Sequence, residues 1–274
     1  MFNLLKSTNI YQTFAPFYWM LKIFGFACYG LNLKENKITN LTINKLQMLL
    51  YSFMYILTLI FMIKCGELES ETEESLLVSN GWYLLYILQL MFCIIIVWYN
   101  FYYVDITKSI LNALDDFDIL TSYQSDWIFT LNHSKHRSCV VYLTIIIISL
   151  SVLKLILCYF IYNGLSFVQF IYTFCALLGV ELTALVSFQF TFFSYCTKCR
   201  QDVLLKNFSI NFEDTMMDQR FFIQIDKFSY CFNMLSNVIE KINSSYAIQV
   251  EFFTNCLLIL MMIFSRQMQL FFLH

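Results

Sequence analysis

The sequence predicts an all-α fold, a polytopic bundle of transmembrane helices, and three observations predict it. Hydrophobic residues make up 59% of the 274 and charged residues only 13%, whereas a soluble domain is about a quarter charged. The mean hydropathy is +0.64. Uncharged runs recur at lengths near the roughly 20 residues that cross ~30 Å of hydrocarbon. Six glycines and one proline leave few breakers, which favours long helices over the interrupted helices of many secondary transporters. A formal charge of -2 leaves no electrostatic footprint for nucleic acid.

The elements follow in chain order. Residues 1–45 form an N-terminal segment containing an apolar stretch, 14–31, that carries Lys22, Pro16, Gly25 and Gly30. It reads as an interfacial or partner-packed helix, with a further crossing as the alternative. It has no basic leader and no small-residue cleavage site, so a signal peptide is not expected. The first span is 46–63 and an acidic loop, 64–81, follows it. The second span, 82–104, has Trp82, Tyr83 and Tyr86 near one end and Trp98, Tyr99, Tyr102 and Tyr103 near the other, as in the aromatic belts of a bilayer. A loop, 105–138, leads to the third span, 139–161. Asn163 and Gly164 make the turn 162–166, and the fourth span is 167–196. At 1.5 Å per residue that run is about 45 Å long, so its far end should protrude into water. The segment 197–246 precedes the fifth span, 247–265, and a tail, 266–274.

Orientation follows from the basic residues. Fourteen Lys and Arg lie in 1–45, 105–138 and 197–246, and two, Lys64 and Arg266, lie on the other side. The positive-inside rule then places the N-terminus in the cytoplasm. Glu67, Glu69, Glu71, Glu73 and Glu74 fall outside, in a solvated loop or a cation-attracting vestibule. Four glycosylation sequons, at Asn40, Asn132, Asn207 and Asn243, fall in segments placed inside, where they would stay unmodified.

Phe221, Ile225, Phe228, Phe232, Leu235, Ile239 and Ile242 recur at spacings of four and three, and Tyr246, Gln249 and Phe253 continue the series. This is a heptad seam with polar residues on the other faces. It predicts a cytoplasmic helix with one apolar stripe running into the fifth span, packed on the inner end of the fourth span or on another subunit. The polar collar EKINSSYAIQVE marks the inner membrane surface.

No chemistry of catalysis is visible, and no enzyme activity is expected: there is no glycine-rich phosphate loop, nucleophile arrangement or carboxylate pair. Cys196 and Cys199 form a lone C-x-x-C, which does not make a metal site without a second pair; such juxtamembrane cysteines are inert or lipidated. No metal and no cofactor is expected. His133 and His136 read as solvated.

Lys154 and Glu181 are the ionisable residues inside the third and fourth spans, and such residues carry function by default. Lys154 either reaches towards Glu181 or points to an outer pocket near Tyr159 and Tyr162. The outer ends of the second and fourth spans add Trp82, Tyr86 and Gln89, and Gln169 and Tyr172. An aromatic pocket with a few polar groups suits a small molecule; the same aromatics also serve as interfacial anchors.

The opening FAPFYWMLKIFGFACYGL with its central Gly25, the cytoplasmic N-terminus, the long fourth helix with a large loop after it, and EKINSSYAIQVEFF entering the fifth span together resemble the insect gustatory receptors, relatives of the odorant receptors. The resemblance covers essentially the whole chain as the first five spans of a seven-span family. It implies a plasma-membrane taste receptor subunit of a ligand-gated cation channel, typically a tetramer, opened by a small-molecule tastant bound in the outer half of the bundle. The seam would belong to the cytoplasmic anchor through which subunits meet. Two departures stand against the family pattern. Cys28 and Tyr29 occupy the region where the family continues into a proline, and the sixth span, the pore-lining seventh span and the terminal tyrosine and glutamine signature are not seen before SRQMQLFFLH. The expectation is therefore a truncated product that lacks the pore helix. The alternative is a non-conducting partner that associates with and modulates full-length subunits.

Overall fold

Asn9 starts the described chain's first helix in the way its side chain predicts. Its backbone is extended and its Oδ1 accepts from the Gln12 N–H at 2.9 Å, an N-cap that satisfies one orphan donor. The helix, α1, runs Ile10–Ile23 and is followed by Gly25 at φ +80°, a left-handed conformation that glycine adopts without steric cost. A Cβ at Gly25 would also sit 2.3 Å from Tyr51 Cγ. A two-stranded antiparallel hairpin comes next, β1 (Gly30–Asn32) on β2 (Lys37–Thr39), with Gly30 opposite Thr39. The hairpin adds a small non-helical element to the expected helical fold; three-residue strands leave no periodicity to read.

The computed structural model describes residues 7–39, 42–69, 76–123, 130–161, 167–214 and 219–273. Six more helices follow the hairpin: α2 (Thr42–Glu69), α3 (Leu76–Tyr102), α4 (Val104–Ser122), α5 (His133–Ile161), α6 (Phe167–Asp214) and α7 (Gln219–Leu273). The molecule is thus mostly helical. Among the described residues two helices are long and apolar enough to cross a membrane, Thr42–Phe61 and His133–Leu153, and α3 with α4 passes the same test as a pair bent by 62°. The last two helices hold 48 and 55 residues, or about 70 and 80 Å at 1.5 Å per residue.

The expected loop at 105–138 contains a helix, α4. Its Ile110, Leu111, Leu114 and Phe117 are buried at helical spacing, with Asp105, Lys108, Asn112 and Asp116 on the exposed side. This is an amphipathic helix of the kind that packs on a core and faces water.

The shared core lies where α1, α3, α4, α6 and α7 meet. Phe14 and Phe17 of α1 are buried against Phe188, Phe192 and Phe193 of α6, with ring centroids 4.7–5.6 Å apart for Phe17–Phe188, Phe14–Phe192 and Phe14–Phe193. Such pairs add about 0.5–1.5 kcal/mol each beyond their area. Pro16 within α1 has no N–H, so the Gln12 carbonyl four residues earlier loses its helical donor. Arg137 of α5 supplies the replacement, its Nη1 donating to Gln12 O at 2.9 Å.

Candidate functional site

The strongest concentration of charge among the buried residues is built by α4, α5 and α6. Arg200 of α6 is 0% exposed. Its Nη1 donates to Cys196 O at 2.9 Å, its Nε to Asp118 Oδ1 at 3.0 Å and to Leu114 O at 3.3 Å, and its Nη2 to Asp118 Oδ2. The fork thus meets a carboxylate bidentately, shares its Nε–H with the Leu114 carbonyl and gives Nη1 to the Cys196 carbonyl, so α4 and α6 are fastened at one point. Burial raises the Asp118 carboxyl above its usual range, and the Arg200 guanidinium offsets only part of that rise.

His133, at the start of α5, brings its Nε2 to 3.4 Å from Asp118 Oδ2. The expectation that His133 is solvated is corrected here, because its side chain is 11% exposed. Burial, with Arg200 adding, pushes its imidazole down to about 4, so the ring is neutral at physiological pH. His136, one turn on, lies with its ring 5.5 Å from Tyr195 of α6 and is half-buried rather than solvated. A cavity of about 320 Å³ opens beside Asp118 and His133, lined also by Thr8, Asn9, Asp115 and Thr121. Desolvation raises the Asp115 carboxyl to about 6, with the charges of Asp118 and Asp116 adding.

Further side chains tie the same end of the molecule together. Ser7 N–H donates to Ser134 Oγ at 3.2 Å, and Ser134 Oγ donates back to Ser7 O at 3.2 Å. Tyr11 Oη donates to Asn112 Oδ1. Lys241 Nζ of α7 donates to Ser109 Oγ of α4 at 2.7 Å. The three segments that carry the basic excess, the N-terminal one, the one around α4 and the one spanning the α6 and α7 junction, are therefore packed on one another.

The residues expected to bind a ligand sit on helices, Trp82, Tyr86 and Gln89 on α3, Lys154 and Tyr159 on α5, Gln169 and Tyr172 on α6. Their side chains, and Tyr162 altogether, lie outside the described residues, as does the side chain of Glu181. Of the seam, Leu235 and Ile242 are fully buried inside the chain, Ile225, Phe228 and Ile239 are half-buried, Phe232 is exposed, and the side chain of Phe221 is outside the described residues. Phe228 meets Phe208 of α6 at 4.2 Å between centroids. The buried stripe runs through Cys231, Leu235, Val238, Ile242 and Ser245, one position back from the expected seam at 232 and 239. Both neighbouring positions are apolar, so the spacing alone does not choose between them.

Cys196 and Cys199 are free thiols, the first buried, and among the described residues no group of three or more His, Cys, Asp or Glu side chains could hold a metal ion. Of the sequons, Asn207 is buried, with its Nδ2 donating to Val203 O at 3.0 Å, and Asn132 caps α5 through its Oδ1 to the Lys135 N–H at 3.0 Å. Asn243 is exposed, and Asn40 lies outside the described residues.

Sequence reasoning counted Arg200 as a loop charge and missed its burial. Its partner is 82 positions away, beyond any local spacing. No family model matches the chain, and no curated protein or solved structure matches it either.

Proposed function

We propose that this chain is a chemoreceptor subunit of the insect gustatory receptor type, a multi-pass plasma-membrane protein with a cytoplasmic N-terminus, belonging to a family of tastant-gated cation channels. The observation that carries the reading is the gathering of the basic segments at one end: Arg137 on Gln12, Arg200 on Asp118 and Lys241 on Ser109. This is what a bundle with every inner loop on one side requires, and it supports five spans at 46–63, 82–104, 139–161, 167–196 and 247–265. The tastant would sit among Trp82, Tyr86, Gln89, Lys154, Tyr159, Tyr162, Gln169 and Tyr172. The exposed Ile223 and Tyr230, two turns apart on one face of α7, give the anchor an apolar strip for a neighbouring subunit.

The test is expression in cells with a full-length receptor of the family. A tastant-evoked cation current whose concentration dependence moves with Tyr86→Ala and Gln169→Ala supports the subunit reading. Loss of the other receptor's current with none gained marks the chain as a modulating partner. Attached sugar at Asn40 or Asn243 reverses the orientation and overturns both.

A further inference from the structure

We infer that the cavity walled by α4, the start of α5 and the chain entering α1 binds a small organic amine as its ammonium ion, held by the Asp115 carboxylate, His133 Nδ1 and the hydroxyl oxygens around them. The site is separate from the aromatic residues named for a tastant, and it depends on neither the spans nor their orientation.

Its charge comes from Asp115. Arg200 is the cation whose field reaches this carboxylate, and its fork is closed on Asp118. Among the described residues no hydrogen bond or ion pair reaches Asp115 itself, and half-burial, with Asp118 and Asp116 nearby, raises its carboxyl to about 6. Such a group is ionised at physiological pH yet poorly solvated, and an opposite charge placed beside it favours the charged form. The same field turns anions away. It does not make a metal centre, because among the described residues no three His, Cys, Asp or Glu side chains converge and Asp118 is already committed to Arg200.

The wall offers acceptors, because its donors are used internally. Thr121 Oγ1 donates to Asp118 O at 3.0 Å, Ser122 Oγ to Ile119 O at 2.8 Å and Thr8 Oγ1 to Gln12 Oε1 at 3.3 Å, so these hydroxyls have lone pairs left for a ligand. His133 adds a further acceptor. Its ring is neutral, with Nε2 set 3.4 Å from Asp118 Oδ2, so Nε2 carries the proton and Nδ1 the lone pair. That Nδ1 is buried and has no hydrogen-bond partner. Buried polar atoms are paired in the great majority of cases, so an orphan on a residue that lines a cavity calls for a donor from outside the chain. An ammonium group brings three donors and no acceptor, which answers a carboxylate, an imidazole nitrogen and a hydroxyl together. The cavity holds about 320 Å³, with Ile119 and Leu131 as apolar wall, the lower end of small-molecule sites. A bare ammonium ion would leave most of that volume to water, whereas a body of a few carbons would fill it.

The experiment is thermal unfolding of the full chain in bicelles at pH 7.5, titrated with butylammonium chloride. The melting temperature should rise and saturate, as it does for a ligand that binds the folded state. Butyltrimethylammonium, with the same charge and no N–H, should give no saturable rise. Asp115→Asn should raise the half-saturating concentration about tenfold or more, as the loss of one charge-assisted hydrogen bond does. Asp116→Asn, an equal change of charge on the exposed face of α4, should leave it unchanged. Ser122→Leu keeps every charge and narrows the cavity at an exposed position; it should weaken butylammonium too, and it carries the test if Asp115→Asn does not unfold cooperatively. An absent or unsaturating rise in the parent, an equal rise with the quaternary ion, or the same half-saturation in Asp115→Asn and Asp116→Asn would overturn the site and leave the orphaned nitrogen to water.

Discussion

Helices α4 and α5 are neighbours in the chain and opposite in what they present to their surroundings. In α4 the buried side holds Ile110, Leu111, Leu114 and Phe117 while Asp105, Lys108, Asn112 and Asp116 face outward. From 138 to 153 in α5 only Val140 and Thr144 are buried, and Tyr142, Leu143, Ile145, Ile146, Ile148 and Leu150 are exposed. A contiguous exposed apolar face of this extent is not what a monomer shows to water. The two helices suit two solvents, and the boundary between them falls where Asp118, His133, Arg137 and Arg200 gather. Charge near that boundary is either held by a partner inside the protein or turned to water, and the contrast can be broken at several points.

The largest effect is expected from Asp118→Asn, which leaves Arg200 buried with half of its fork unmatched. Breaking a buried pair by removing one partner costs about 3–5 kcal/mol, whereas replacing both by apolar residues is often neutral. Equilibrium unfolding in bicelles should therefore show a large loss for Asp118→Asn and recovery of most of it in Asp118→Leu combined with Arg200→Met. If the double variant is as unstable as the single one, the pair is not the fastening point between α4 and α6.

Next comes the solvent contrast itself. Ile146→Lys places a charge about 10 Å inside the third span by helical rise, and a lysine near a span centre costs about 2.5–3.5 kcal/mol of insertion free energy. Ile119→Lys, on the exposed face of α4, should stay within about 0.5 kcal/mol, as surface changes do. Equal and small effects at the two sites would mean that α5 faces water.

These two helices also show what the sequence made legible. The run 139–161 was readable as a long apolar helix because its apolar residues go all round and no breaker interrupts it, and His133–Leu153 is apolar and long enough to cross a membrane. α4 falls in the expected loop because the spans were marked by uncharged runs, and an amphipathic helix with charges on one face has none, although Ile110, Leu111, Leu114 and Phe117 stand at helical spacing. The stripe on α7 was legible to within one position, since Cys231 and Phe232, and Val238 and Ile239, offer apolar side chains on adjacent faces. The charged junction was not legible at all. Asp118 and Arg200 meet only after α4 has bent away from α3 and packed on α6, which is a tertiary event with no local signature. Pro16 announced a freed carbonyl at Gln12, yet nothing nearby in sequence identified Arg137 as the donor.

That last contact gives a double-mutant cycle of intermediate size. Hydrogen bonds to charged groups contribute about 1.5–3 kcal/mol, and part of the loss on deletion is the unsatisfied partner. Arg137→Met should therefore destabilise the chain by about 1.5 kcal/mol. In a Pro16→Ala background the restored N–H takes the Gln12 carbonyl back into the helix, and the same Arg137→Met should cost less than half as much. Equal costs in both backgrounds would show that Arg137 acts through another contact.

The smallest effect belongs to Asp115, whose carboxyl is raised by desolvation from 3.8 to about 6 in the folded chain. An acid with a raised folded pKa binds more protons folded than unfolded across the interval, so stability falls as pH climbs from about 4 to about 6 and is level above that. Asp115 is half-buried, so screening by water holds the penalty to about 1 kcal/mol or less. Asp115→Asn should remove it: the variant is expected to be slightly more stable than the parent at pH 7.5 and indistinguishable from it below pH 4, measured by thermal unfolding in the same bicelles. A gain that persists unchanged at pH 4 would trace the effect to packing in the cavity beside His133 rather than to the charge. A loss at pH 7.5 would mean that the carboxylate has a favourable partner in the folded chain, and that the water-facing side of α4 is more tightly paired than its exposed residues suggest.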